Sequence, residues 1–262
     1  MRLALERNGE GADPRLRAAA LYGLGSSSLL QGNLEAANLF YEESLRLARE
    51  INDRYWASAA LGGVGNVKFM QGDLTLGMVL MEESLAIARE LNDRRLISRR
   101  LNGLGEIARA QKDYKAARKY YEEALAIARE ESSKHLIPAC TFNLASVACL
   151  SGDYELAHSN AVESLKVSEE LGDKIGVGEA LNVFAALAVK TREMEKAALL
   201  CGAAQALHDA TGFKLEKVDR EFIDHYTSQA RTEIGDEAFE AAFREGQSMR
   251  LKNVLALAHE MH

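Results

Sequence analysis

The groups in this sequence that could carry chemistry are six histidines, three cysteines and the paired glutamates Glu42-Glu43, Glu82-Glu83 and Glu122-Glu123. A structural metal site takes about four convergent ligands, and a nucleophile needs a base within reach, so spacing decides what these groups can do. His135, His158, His208 and His225 are scattered, and only His259 and His262 share a helical face, with no further ligand nearby. Cys140, Cys149 and Cys201 form no CxxC pair and fall in helical patterns, where a free thiol serves as a small buried apolar residue. No serine, threonine or cysteine stands in a nucleophile elbow. Glu42-Glu43, Glu82-Glu83 and Glu122-Glu123 resemble acid–base pairs, but each follows the last by 40 residues. Carboxylates that recur with a repeat belong to a solvated outer face, because charged residues are seldom buried unpaired. The sequence therefore predicts no catalytic residue, no metal site and no cofactor.

The same 40-residue step organises most of the chain. Gly25, Gly65, Gly105, Ala145 and Ala185 fall on one another, as do Ala37, Gly77, Ala117, Ala157 and Ala197, and Ser44, Ser84, Ala124, Ser164 and Ala204. A fixed period of about 20 to 50 residues marks a solenoid whose units cannot bury a hydrophobic face alone. Each repeat reads as two helices of about 17 residues separated by a short break. The breaks are Gly32-Asn33, Gly72-Asp73, Lys112-Asp113 and Gly152-Asp153, and between repeats stand Asn52-Asp53, Asn92-Asp93, Ser132-Ser133 and Gly172-Asp173. Asn and Asp suit the N-cap and a preceding Gly suits the left-handed end of a helix. Pro138 predicts a late start or a kink in the first helix of repeat four. The fifth repeat is worn, with Thr191-Arg192 at its break and Cys201 at its aromatic position.

Outside the repeats, residues 1–14 form a polar lead-in with the turn formers Asn8, Gly9, Gly11 and Pro14. The array covers residues 15–212. Residues 213–262 form a helical cap, expected as Glu216 to Ile234, Asp236 to Glu245, and Met249 to Glu260 with Ser248 at the N-cap. A chain of 262 residues with only two prolines suits a nearly all-helical solenoid, which adds length without thickening. A net charge of −7 disfavours non-specific binding to nucleic acid or an anionic membrane. No apolar run approaches the roughly 18 residues of a membrane span, and Met1 to Gly11 lacks a secretory core, so a cytoplasmic location is expected.

Gly25, Ala37, Tyr41 and Ser44, repeated as Gly105, Ala117, Tyr121 and Ala124, resemble the small, small, aromatic and small positions of the tetratricopeptide repeat. The resemblance implies an all-α fold, a right-handed superhelix of about five helix pairs with C-terminal capping helices. The family's usual period is about 34 residues. Because Gly25 to Ser44 keeps the family's spacing, the additional residues of the longer period lie around the inter-repeat turn. A second resemblance lies in GAAQALHDATG at Gly202 to Gly212, AFEAAFREGQSM at Ala238 to Met249, and the apolar Leu251 to Ala258. These are similar to the C-terminal repeat region of bacterial LuxR-type and AfsR-type signal-transduction ATPase regulators. The sequence has neither a GxxxxGK[ST] phosphate loop nor a recognisable helix-turn-helix, so the ATPase and DNA-binding activities of such regulators are not carried over to it.

What remains is a surface. In tetratricopeptide arrays the first helices line a concave face, and helical geometry places its exposed stripe at i, i+3, i+7 and i+10. Here the stripe reads Ala19, Tyr22, Ser26, Leu29; Ala59, Gly62, Asn66, Phe69; Arg99, Asn102, Glu106, Arg109; Ala139, Phe142, Ser146, Cys149; and Glu179, Asn182, Ala186, Val189. Asn66, Phe69, Arg99, Asn102, Glu106, Arg109, Phe142, Ser146, Glu179 and Asn182 are the expected contacts to an extended peptide or protein segment. The competing reading makes Phe69 and Phe142 core and pairs Arg99, Arg109 and Glu106 with one another. The function expected is a non-catalytic protein- or peptide-binding module, the sensing or regulatory region of a bacterial regulator; the alternative is a structural scaffold or oligomerisation domain without a peptide ligand. Leu21, Leu24 and Leu29 have no earlier repeat to pack on, which predicts self-association through repeat one or an upstream ATPase domain as neighbour. No direct nucleic-acid or membrane partner is expected.

Overall fold

Aspartate and asparagine side chains start most of the helices. In the computed structural model, Asn33 accepts from the Ala36 N–H at 3.0 Å, Asp53 from Trp56 at 3.1 Å, Asp73 from Leu76 at 3.0 Å, and Asp93 from Leu96 at 2.9 Å. Asp113 and Asp153 do the same for Ala116 and Leu156, each bond satisfying an orphan donor of the first turn. The residue before each of these caps takes a positive φ, readily for Gly32, Gly72 and Gly152, and against its side chain for Asn52, Asn92 and Lys112.

The structure describes residues 13–134 and 136–261; most of the polar lead-in, His135 and His262 lie outside the described residues. Among the described residues there are thirteen helices and no strand: α1 Pro14–Leu30, α2 Leu34–Glu50, α3 Arg54–Met70, α4 Leu74–Glu90, α5 Arg94–Ala110, α6 Tyr114–Glu130, α7 Leu136–Ser151, α8 Tyr154–Leu171, α9 Lys174–Lys190, α10 Met194–Thr211, α11 Lys217–Ile234, α12 Asp236–Ser248 and α13 Leu251–His259. The chain forms two compact units, Met1–Lys112 and Asp113–His262, divided at the break inside repeat three. The all-helical, paired architecture expected of the repeat is present. α7 starts at Leu136, where the register of α5 at Arg94 would start it at 134, so Pro138 is met by a late start.

In the first unit the paired helices approach until only small residues fit. The Tyr41 ring lies between Gly25 and Gly63, and a Cβ on either glycine would stand 2.7 Å from it. Gly65 and Gly77 face each other's carbonyls, at 3.3 and 3.2 Å from the built Cβ positions. The small serines of the second helices also bond across the crossing. Ser44 Oγ donates to the Ala18 carbonyl at 2.8 Å, and Ser58 and Ser84 each donate to the other's carbonyl, at 2.9 and 2.7 Å.

The second unit uses the same device in repeat four, where Ser164 Oγ donates to the Pro138 carbonyl at 3.3 Å. It is then closed by α11, α12 and α13. α12 crosses α10 through two reciprocal glycines: a Cβ at Gly202 would lie 2.0 Å from the Phe243 carbonyl oxygen, and one at Gly246 2.0 Å from that of Leu199. α12 runs on to Ser248, so Ser248 does not cap α13. Its hydroxyl donates back to the Arg244 and Glu245 carbonyls at 3.1 and 2.9 Å, and Arg250 takes the N-cap position without a side-chain bond. α13 buries Val254 and Ala258, and beyond it the Met261 carbonyl meets His158 Nε2 at 2.8 Å while His259 pairs with Glu169.

Gly246→Ala therefore forces a backbone-to-backbone contact apart. The expected loss is about 1 to 3 kcal/mol of stability, the usual cost of overpacking. Urea unfolding followed by circular dichroism measures it, with Gly32→Ala, which meets no neighbouring atom but strains φ, as the comparison.

Candidate functional site

In the first unit the stripe lies on α1, α3 and α5. Arg99 is exposed, and Asn66, Asn102 and Glu106 are half-buried. Asn102 Nδ2 donates to Glu106 Oε1 at 2.7 Å, one turn along the same helix, so this amide and carboxylate present themselves as a unit. Phe69 is buried, in keeping with an apolar face turned toward the partner helix, and Arg109 is buried at 5% exposure. Arg99 and Arg109 share one helical stripe but not one environment. At the other end of the face Tyr22 packs 5.4 Å from the Tyr41 ring and 5.6 Å from that of Trp56, centroid to centroid. The Tyr41 hydroxyl donates to Ser26 Oγ at 3.1 Å, and burial raises its pKa.

Arg100 also reaches this face, although it lies between two stripe positions. Its side chain extends from α5 across Gly62 of α3, where a Cβ would stand 1.7 Å from Nη1. Burial lowers its pKa, and the Tyr22 hydroxyl opposes that shift through charge and a hydrogen bond. The signal for it is in the sequence. The equivalent positions of the other repeats hold Ala20, Ala60, Cys140 and Ala180, and where this repeat pair has Gly62 the others hold Tyr22, Asn102, Phe142 and Asn182.

In the second unit the stripe is packed. Phe142, Ser146 and Asn182 are buried, and Ser146 Oγ donates to the Phe142 carbonyl at 3.0 Å. Phe142 belongs to the core together with Cys149, Phe184, Phe222 and Tyr226, and α11 supplies the last two. The open face expected at these three residues is thus interior, because the unit closes over it with its own helices. Glu179 stays half-buried at the edge. Asn182 lines a cavity of about 200 Å³ with His208, Cys201 and Thr227, and neither Asn182 Nδ2 nor His208 Nε2 has a hydrogen-bond partner there. His208 stands where the earlier repeats hold Ala48, Ala88, Ala128 and Ser168. Gly178 makes room for it, since a Cβ there would lie 2.6 Å from Nε2.

Burial pushes the Cys149 and Cys201 thiols up to about 12, far from the thiolate that reacts. Glu42, Glu82 and Glu122 are exposed, and Glu83 and Glu163 bind arginines of the preceding repeat, Arg49 and Arg129. No group of three or more metal-binding side chains occurs among the described residues. Nor, among them, is any helix long and apolar enough to cross a membrane.

Residues 10–170 match the family model described as the MalT-like TPR region. No curated protein matches the sequence. Solved structures share the fold at low identity. The apo form of RapI aligns at 18% identity and a TM-score of 0.62, over 89% of each chain. A Rap protein complexed with competence and sporulation factor aligns at 17% and 0.74, over 99% of this chain and 69% of that one. A signal-transduction ATPase with numerous domains and a tetratricopeptide repeat sensor, from Pyrococcus horikoshii, aligns at 16% and 0.60, over 96% of this chain and 39% of that one.

His208 makes the stability of the second unit depend on pH. Burial holds its pKa below the ordinary 6.5, with Asp209 and Asp219 and the Ile175 backbone pulling weakly the other way. Below pH 6.5 the unfolded chain binds a proton that the folded chain refuses, so stability is lost as pH falls from 6.5 through the folded pKa, and is unaffected above. Thermal unfolding between pH 8 and pH 5 should show this decline in the wild type and a shallower one in His208→Gln.

Proposed function

The chain belongs to the MalT-like TPR region family, and from that premise we propose that it is a non-catalytic sensing module of a bacterial signalling or transcription regulator, taking up an extended peptide or protein segment along its first helices. The observation that carries this reading is the first-helix face of the first unit. There Asn66, Arg99, Asn102 and Glu106 reach solvent from consecutive repeats while the helices beneath them are tightly packed. An extended chain offers alternating backbone donors and acceptors, and the Asn102–Glu106 pair offers both in return. Two proteins of like fold support a sensing role: one solved with competence and sporulation factor, the other an ATPase whose repeats are described as its sensor. Arg109 belongs to the same face as a supporting position, and Phe69 as part of its floor.

A second reading, attachment through repeat one, has its own observation. Leu16, Leu30 and Leu39 are exposed, Leu30 at 90%. Light scattering of the wild type beside Leu16→Asp/Leu39→Asp tests it. A concentration-dependent mass that the double variant abolishes is the expected result for a docking surface.

For the groove, bound material captured from a native extract and identified by mass spectrometry supplies the ligand. Asn102→Ala should then weaken its binding by about 1 to 3 kcal/mol in calorimetry, the range for a polar partner left unpaired. The melting midpoint should stay unchanged, and the outward Glu82→Gln and Glu122→Gln should bind as the wild type does. Equal losses from both sets, or unfolding of Asn102→Ala alone, would exclude a groove at this face.

A further inference from the structure

Arg100 breaks the repeat in a way that packing does not require. Its position is filled by Ala20, Ala60, Cys140 and Ala180 elsewhere, each small enough to sit between neighbouring helices. The guanidinium is accommodated because Gly62 has no side chain; Nη1, Cζ and Nε would lie 1.7, 2.2 and 2.7 Å from a Cβ there. Arg100 thus occupies the place on the first-helix face that a side chain at 62 would fill. It is only 6% exposed, and its Nε has no hydrogen-bond partner. The charged or polar groups that act on it are Tyr22, Tyr41 and Arg99, and among the described residues no carboxylate lies within ion-pair distance. Glu106, the nearest acid of the stripe in sequence, accepts from Asn102.

A buried cation beside a second cation, with no counter-charge, destabilises the fold that holds it. Several surface arginines of this chain are paired, as Arg49 is with Glu83 and Arg118 with Glu122 and Asp153. We infer that Arg100, lying over Gly62 beside the Tyr22 hydroxyl, is a carboxylate anchor that receives an acidic group of the peptide held by the first unit. The inference rests on the reading of this face as a peptide groove, and adds to it the chemistry of the ligand. A planar guanidinium accepts a planar carboxylate through two parallel N–H bonds, and Arg99 at the exposed rim adds attraction at the approach. The carboxylate can come from an aspartate or glutamate side chain or from a peptide's C-terminus.

Two measurements test the anchor. In the first, glutarate is titrated against chloride at constant ionic strength while thermal unfolding is followed. The wild type should gain stability saturably, Arg100→Met should gain none, and Arg100→Met in chloride should melt no lower than the wild type, since it loses an uncompensated buried charge. In the second, labelled protein is applied to an array of random heptapeptides, each made with a free and with an amidated C-terminus and with Glu or Gln at its centre. The wild type should favour carboxylate-bearing peptides by about 30-fold or more, the usual cost of removing one partner of a sheltered charge pair. The discrimination should vanish in Arg100→Met and in Gly62→Ala, which keeps the charge and displaces it, and the Glu and free-end arms reveal which source is used. If the wild type holds no peptide but glutarate still stabilises it through Arg100, the anchor stands and the peptide reading falls. If Arg100→Met responds to glutarate or selects carboxylates as the wild type does, the anchor is overturned. Should Arg100→Met not fold, Gly62→Ala and Arg100→Lys decide the same question on the array.

Discussion

Two helices that approach until a carbonyl oxygen touches the facing Cα leave no room for a side chain, and most of this structure follows from that. The contact recurs at Gly65 with Gly77 and, in the closing helices, at Gly202 and Gly246. Each close crossing brings many atoms into van der Waals range without a large core residue, and it admits a serine where a hydroxyl can reach the carbonyl of the other helix. Ser44, Ser84 and Ser164 all do so. Some large side chains are admitted where a neighbouring glycine has made a hole.

Those holes give the repeats their individual character. Tyr41 fits because Gly25 and Gly63 flank it, His208 because Gly178 yields, and Arg100 because Gly62 does. In each case a residue grows where a residue on another helix shrinks, and the backbone repeat is preserved. The three outcomes differ chemically. Tyr41 finds a hydroxyl partner in Ser26, His208 is held neutral by burial, and Arg100 keeps a charge without a counter-charge. Holes of this kind thus hold an inert filler, a proton-sensitive group and a cation, all three buried.

Much of the fold was legible because its determinants lie within one repeat. The caps at Asn33, Asp53, Asp73, Asp93, Asp113 and Asp153 announce their helices from side-chain chemistry alone, and the small positions recur at one period. The tail is less legible. Ser248 carries the composition of an N-cap, yet its hydroxyl returns to the helix before it, because two local hydrogen-bonding choices are open to a serine there. The face was legible in direction but not in exposure. Helical period places Phe142, Ser146 and Asn182 in line with Asn66 and Asn102, but whether such a line is open depends on α11, whose packing no pattern within the stripe reveals. Arg100 escaped for a related reason: a long side chain reaches a face to which its own Cα does not belong, and only comparison across repeats exposes it.

The bond between His158 and the Met261 carbonyl spans 103 residues, whereas the crossing serines reach 26. During synthesis the chain emerges in order, at about 5 to 20 residues per second. The contacts of the first unit can close as soon as their own helices are made, since each needs only the next helix or two. The second unit has such contacts too, as between Ser164 and Pro138, but is completed late: α8 is exposed on the side that α13 later covers, and His158 waits until Met261 has been added. That interval is several seconds by the same rate. The two units thus differ in when they can become native, the first early and piecewise, the second late and with its last turn in hand.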